Sequence, residues 1–107
     1  MTKVTIYKNQ NNECVEFKVI GHAGYAEEGE DIVCAGISVL TINTLNSMEA
    51  LTDAVFSVDS DENSGSIKCR MLNSTKESTL LLDAMILGLQ MMAENYSEYI
   101  DLKFREV

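Results

Sequence analysis

Residues 31–51 read DIVCAGISVLTINTLNSMEAL, and the spacing of their apolar side chains predicts an α-helix. Asp31 is the predicted N-cap, because its carboxylate can accept hydrogen bonds from the unpaired N–H groups of the first turn. Cys34 then falls at the third position of the helix. One side of this helix carries a mostly apolar stripe, formed by Val33, Ile37, Leu40, Thr44, Met48 and Leu51.

A β-hairpin is predicted before this helix. Residues 4–7 alternate between apolar and polar side chains, as in a half-buried strand, and residues 9–12 have the composition of a turn. The strand that follows places three apolar side chains on one face: Val15, Phe17 and Val19.

After this helix, the sequence predicts a second pair of strands, a second helix and a last strand. Residues 54–59 and 66–72 form the strand pair, the helix begins at Ser74 or Thr75, and residues 100–104 alternate as the final strand. The order is therefore ββαββαβ. We expect an α+β fold in which two helices pack on one face of a mixed sheet.

Length and charge limit what this chain can do. Its 107 residues suit one domain, residues 1–107, with a core that needs no metal, cofactor or disulfide. The net charge of −9 opposes direct binding of nucleic acid and favours a basic partner. The sequence shows no signal-peptide pattern and no uninterrupted apolar run long enough to cross a membrane. Three scattered cysteines suit reduced thiols in the cytoplasm.

His22 and Cys34 form the one candidate catalytic pair. Near the start of a helix, the partial positive charge favours the thiolate form of a cysteine, and unpaired N–H groups can stabilise an oxyanion. His22 would be the base of a Cys–His dyad. The alternatives are a buried, unreactive cysteine and a structural histidine.

Several neighbouring residues have both a functional and a structural interpretation. Asp31 can orient the imidazole or simply cap the helix, and Ser38 can bind substrate or hydrogen-bond to its own helix. The segment from Ala23 to Asp31 is predicted to be an exposed, mobile loop. Cys14 and Cys69 are interpreted as packing residues, and no C-x-x-C spacing supports a metal site.

The window that begins at Gly21-His22 and continues with DIVCAG at residues 31–36 and Ser38 resembles the ribosomal-processing cysteine protease family. The resemblance extends along nearly the whole chain. It implies a small homodimeric endopeptidase that removes a short N-terminal extension from a large-subunit ribosomal protein. By position, it makes Cys34 the nucleophile and His22 the general base, and it implies supporting roles near the site for Asp31 and Ser38.

The resemblance also implies that the loop between the two catalytic residues moves as substrate enters. Ala23, Gly24 and Gly29 are the small residues of that loop. Two other functions compete with proteolysis. One is a non-catalytic acidic adaptor that binds a basic ribosomal protein or an assembly factor. The other is a different thiol enzyme, which transfers acyl groups or carries out redox chemistry.

Overall fold

A computed structural model of the chain describes the backbone of residues 1–21, 28–61 and 65–107, and the side chains of these residues outside 28–31. The predicted order of elements is confirmed. The elements are β1 (Thr2–Lys8), β2 (Cys14–Ile20), α1 (Glu28–Leu51), β3 (Val55–Asp61), β4 (Ser66–Asn73), α2 (Lys76–Asn95) and β5 (Ile100–Glu106).

The five strands form one mixed sheet in the order β3-β4-β2-β1-β5. β1 pairs with β5 in parallel, whereas the other neighbouring strands are antiparallel. The predicted α+β architecture is therefore confirmed. The core combines inward-facing strand residues with residues of both helices, and its largest buried side chains include Ile6, Phe17, Ile37, Met48, Leu82, Met85 and Leu89.

The β1–β2 hairpin departs from simple alternation at one point. Its register shifts between Tyr7 and Lys8, so that Tyr7 pairs with Glu16 and Lys8 pairs with Cys14. Because Val15 is the extra residue in this bulge, Cys14 becomes buried and Val15 is only half-buried. The prediction that Val15 shares the core face with Phe17 and Val19 is wrong for this reason.

α1 begins at Glu28, earlier than the sequence pattern predicts. Asp31 is therefore inside the helix, and its predicted role as the N-cap is wrong. Residues 28–31 carry three carboxylates, and negative charge is stabilising near the positive end of a helix dipole. Gly29, one of the small residues of the predicted loop, belongs to α1, and residues 23–27 of that loop lie outside the described residues.

Small residues allow the two helices to approach closely. A Cβ added at Gly88 would lie 2.9 Å from Leu40 Cδ2, and one added at Gly36 would lie 2.7 Å from Met92 Cε. α2 begins at the predicted place: the Thr75 side chain accepts a hydrogen bond from the backbone N–H of Ser78, in a reciprocal capping box.

The apolar part of α1, Ile32–Leu51, is long enough to cross a membrane by length and composition alone. Core helices of globular proteins share this property. In this fold Val33, Ile37 and Met48 on that stretch are buried in the core.

Candidate active site

Cys34 lies on α1 as the seventh residue of the helix, and it is half-buried. The sequence placed it in the first turn, which is wrong because α1 starts at Glu28. At this depth the backbone N–H of Cys34 is paired within the helix. The predicted oxyanion donors at the helix start are therefore not the N–H groups next to the sulfur.

The sulfur of Cys34 contacts a threonine from the sheet. Its Sγ lies 3.5 Å from Oγ1 of Thr2, and either atom can be the donor. Thr2 is only 2% exposed. It is the first residue of β1 and shares the inward face of that strand with Val4 and Ile6.

The backbone of Thr2 is fixed from the neighbouring strand. Its N–H donates a 2.9 Å hydrogen bond to the carbonyl of Tyr99, and the residue pairs with Ile100 in the parallel β1–β5 ladder. Thr2 therefore has a defined position beneath α1, where its hydroxyl meets Cys34.

Gly21 brings the end of β2 to the same place. A Cβ at this glycine would lie 3.9 Å from Thr2 Oγ1 and 3.8 Å from the carbonyl oxygen of Gly65. Gly21 directly precedes His22 in the chain. His22 itself, with Ala23 and Gly24, lies outside the described residues, so the Cys–His pairing stays a prediction.

Burial separates Cys34 from the other two cysteines. Cys14 and Cys69 are each 1% exposed, which confirms the prediction that they pack in the core. Burial raises the pKa of the Cys14 thiol to about 11 and that of Cys69 to about 12. All three are free thiols, and the described part of the chain holds no group of three metal-ligating side chains. Of the three cysteines, Cys34 is the one that is not buried in the core.

Ser38 lies one helical turn after Cys34 and is exposed. Its carbonyl accepts a hydrogen bond from Thr41 Oγ1 at 3.3 Å, while its own hydroxyl has no partner among the described residues. The interpretation that this hydroxyl bonds to its own helix is therefore not supported there.

The face of α1 that carries Cys34 and Ser38 continues to an apolar cavity of about 330 Å³. The cavity lies between α1 and the β3–β4 hairpin, and its apolar lining is Ile42, Leu45, Val58 and Ile67. A larger cavity, of about 580 Å³, lies at the opposite end of β1 beside Lys8 and has no cysteine in its lining. The smaller cavity is the one on the same helix face as the accessible thiol.

Thr2 is the site residue that sequence reasoning missed. The alternation of β1 extends back from Val4 to residue 2, and this pattern alone would place Thr2 on the inward face. Nothing in the sequence indicates that α1 crosses the sheet at that end. The contact with Cys34 therefore becomes visible only in the folded chain.

Comparisons of sequence and of structure relate this chain to the same group of proteins. The model of the family described as "Cysteine protease Prp" matches residues 1–101. The ribosomal processing cysteine protease Prp of Staphylococcus aureus is 32% identical over 106 residues, which cover 98% of this chain and 100% of that protein. The crystal structure of S. aureus Prp in complex with a substrate peptide has a TM-score of 0.93 and 30% identity, with coverage of 98% and 100% of the two chains.

A second crystal structure of S. aureus Prp contains a covalently linked product peptide. It has a TM-score of 0.89 and 32% identity, and again covers 98% of this chain and 100% of that chain. The fold around Cys34 is thus shared with an enzyme whose structures contain substrate and product peptides.

Proposed function

This chain belongs to the cysteine protease Prp family, and on that premise we propose that Cys34 is its nucleophile and His22 its general base. The proposed reaction removes a short N-terminal extension from a large-subunit ribosomal protein. The observation that carries the choice of nucleophile is burial, since Cys34 is half-buried whereas Cys14 and Cys69 are 1% exposed. A cysteine protease needs a thiolate that the scissile carbonyl can reach.

The proposed mechanism is acyl transfer. His22 takes the proton from the Cys34 thiol, and the sulfur attacks the carbonyl carbon of the scissile peptide bond. The tetrahedral intermediate collapses as His22 donates that proton to the leaving amine, which releases the mature ribosomal protein. Water, deprotonated by His22, then hydrolyses the thioester and frees the extension.

The surroundings of Cys34 support a peptide as the substrate. Ser38 presents an exposed hydroxyl one turn along α1, and the cavity lined by Ile42 and Leu45 offers apolar surface farther along the same face. An extended peptide that reacts at Cys34 can place polar groups beside Ser38 and an apolar side chain in that cavity. Asp31 lies on α1 one turn before Cys34, and we keep for it only the supporting role that the family resemblance implies.

We also propose that the enzyme is a cytoplasmic homodimer. The free state of all three cysteines is consistent with a reducing compartment. α2 exposes apolar side chains that recur on one side of the helix, at Leu80, Leu87 and Met91, each more than 60% exposed. Such a face is suited to burial against a second copy.

Cleavage of the extended ribosomal protein by single-cysteine variants tests the proposed function. Cys34→Ala should abolish the N-terminal truncation seen by mass spectrometry under reducing conditions, while the substrate still binds. His22→Ala should slow it strongly. Cys14→Ala and Cys69→Ala are the matched controls and should retain cleavage, because these thiols are buried. Retained cleavage by Cys34→Ala would contradict the assignment, as would an intact substrate with the wild-type enzyme.

A further inference from the structure

We propose that Thr2 is a positioning residue for the nucleophile, and that its hydroxyl donates a hydrogen bond to the Cys34 thiolate. The inference rests on the proposed role of Cys34. It adds a residue from β1 to a site otherwise assigned to α1 and to the segment that follows β2. The contact that motivates it is the 3.5 Å distance between Thr2 Oγ1 and Cys34 Sγ.

The surroundings of the Thr2 hydroxyl direct it to the sulfur. Thr2 is 2% exposed, and a buried hydroxyl almost always has a hydrogen-bond partner. Among the residues that the structure describes, Cys34 Sγ is the one atom to which this hydroxyl is hydrogen-bonded. The Thr2 backbone is bonded to Tyr99 in the sheet, so the hydroxyl is presented from a rigid position.

The direction of the hydrogen bond can change with the protonation state of the sulfur. With a neutral thiol, the S–H group can donate to Thr2 Oγ1. Once His22 has taken the thiol proton, the Thr2 O–H rotates about its Cβ–Oγ1 bond and donates to the thiolate without losing its own proton. Because hydrogen bonds to ionised groups are stronger than those between neutral groups, the contact favours the reactive form.

Thr2 also joins the two chain segments that carry the proposed dyad. Its hydroxyl contacts Cys34, and a Cβ placed on Gly21, the residue before His22, would lie 3.9 Å from the same oxygen. Thr2 therefore lies next to both the Cys34 side chain and the end of β2. This relation makes it a positioning residue as well as a donor to the thiolate.

The test compares Thr2→Val with Thr2→Ser. Valine has nearly the shape of threonine and suits a strand, but it lacks the hydroxyl, whereas serine keeps the hydroxyl and loses the methyl group. The rate at which iodoacetamide alkylates Cys34 is measured by peptide mass spectrometry across the neutral and alkaline pH range. Cys14 and Cys69 are buried and do not interfere.

We expect Cys34 in Thr2→Val to be alkylated about tenfold more slowly than in wild type near neutral pH, because the thiolate then lacks one charge-assisted hydrogen bond, an interaction whose strength corresponds to roughly a factor of ten. The kcat/KM for peptide cleavage should fall in parallel, and Thr2→Ser should stay close to wild type in both measurements.

Identical profiles for Thr2→Val and wild type would overturn the proposal. Equal losses in the two variants would also overturn it, because they would indicate packing alone. Circular dichroism and thermal melting establish that each variant is folded. Alkylation needs no substrate, so this result is independent of the cleavage assay that tests the proposed function.

Discussion

At the scale of single residues, the three free cysteines differ in burial and therefore in how readily they form thiolates. Cys14 and Cys69 behave as small core side chains, and desolvation disfavours their thiolates. Cys34 is half-buried and contacts a hydroxyl. A thiol that is both accessible and hydrogen-bonded is the one suited to nucleophilic attack.

The buried thiols predict a loss of stability at alkaline pH. The pKa of Cys14 rises from 9.0 to about 11 on folding, and that of Cys69 from 9.0 to about 12. Above pH 9.0 the unfolded chain therefore loses protons that the folded chain keeps, so the free energy of unfolding falls as pH rises. The stability that the two protonated thiols contribute is fully present below pH 9.0. It is lost as the pH rises through their folded-state pKa values of about 11 and about 12.

Denaturant unfolding across this pH range measures the effect. The Cys14→Ala/Cys69→Ala double variant should be less stable overall, because two core side chains are truncated. Its stability should nevertheless depend less on pH than that of the wild type. Parallel curves for the two proteins would contradict the assignment of buried, protonated thiols.

At the residue scale, the sequence predicts Cys34 as the nucleophile but does not point to Thr2. The family motif and the helical pattern both converge on Cys34. Thr2 gains its role from a contact across 32 positions of the chain. Contacts of that kind depend on how a helix crosses a sheet, and local sequence patterns carry no information about this.

At the scale of elements, the close approach of α1 and α2 helps to set the position of Cys34, the proposed nucleophile. Gly36 is two residues after Cys34 and lies against Met92, while Gly88 lies against Leu40. The long Met92 side chain can move aside to admit a methyl group, whereas the branched Leu40 contacts an added Cβ through two methyl groups. The two glycines should therefore respond differently to substitution.

Gly88→Ala should lower the free energy of unfolding by about 1 kcal/mol, because overpacking at Leu40 outweighs the gain of roughly 1 kcal/mol in helix propensity. In a Leu40→Ala background the same substitution should instead be stabilising. Gly36→Ala is the matched control and should be close to neutral. Urea unfolding of the wild type, the Gly88→Ala and Leu40→Ala variants and the double variant gives the coupling free energy between the two positions. An equal effect of Gly88→Ala in both backgrounds would contradict close packing of Gly88 against Leu40.

The two helix starts show what an element-level pattern can predict. The start of α2 could be placed at Ser74 or Thr75, because both residue types suit an N-cap, and the structure shows Thr75 in that role with a capping box to Ser78. The start of α1 could not be placed in this way. Residues 28–30 are Glu-Gly-Glu, which show no apolar periodicity, and glycine is a poor helix former. This error placed Cys34 in the first turn. Because α1 starts at Glu28, the oxyanion donors predicted for Cys34 lose their physical basis.

At the scale of the whole molecule, charge is distributed unevenly over the two sides of the sheet. The strand registers place six of the eight basic residues on the face opposite the core: Lys3, Lys18, Lys68, Arg70, Lys103 and Arg105. Only Lys8 and Lys76 lie elsewhere, although the chain has 17 acidic residues. Most of the net negative charge is therefore away from the open face of the sheet, and Cys34 lies on α1 across the sheet from that face.

A basic ribosomal-protein tail should therefore be attracted to the side that carries Cys34. We expect kcat/KM for a lysine-rich substrate peptide to fall as the salt concentration rises, with kcat nearly unchanged, because screening weakens association and leaves the chemistry intact. A peptide with neutral residues in place of the lysines is the control and should show little dependence. A salt-independent kcat/KM for the lysine-rich peptide would contradict this account of substrate attraction.

The most direct test of the central claim is to trap the acyl-enzyme. Wild-type protein is mixed with the extended substrate, quenched in acid and mapped by peptide mass spectrometry. We predict a thioester that joins the N-terminal fragment of the substrate to the peptide containing Cys34, and no such adduct in Cys34→Ala. An adduct on Cys14 or Cys69, or cleavage that continues in Cys34→Ala, would contradict the claim that Cys34 is the nucleophile.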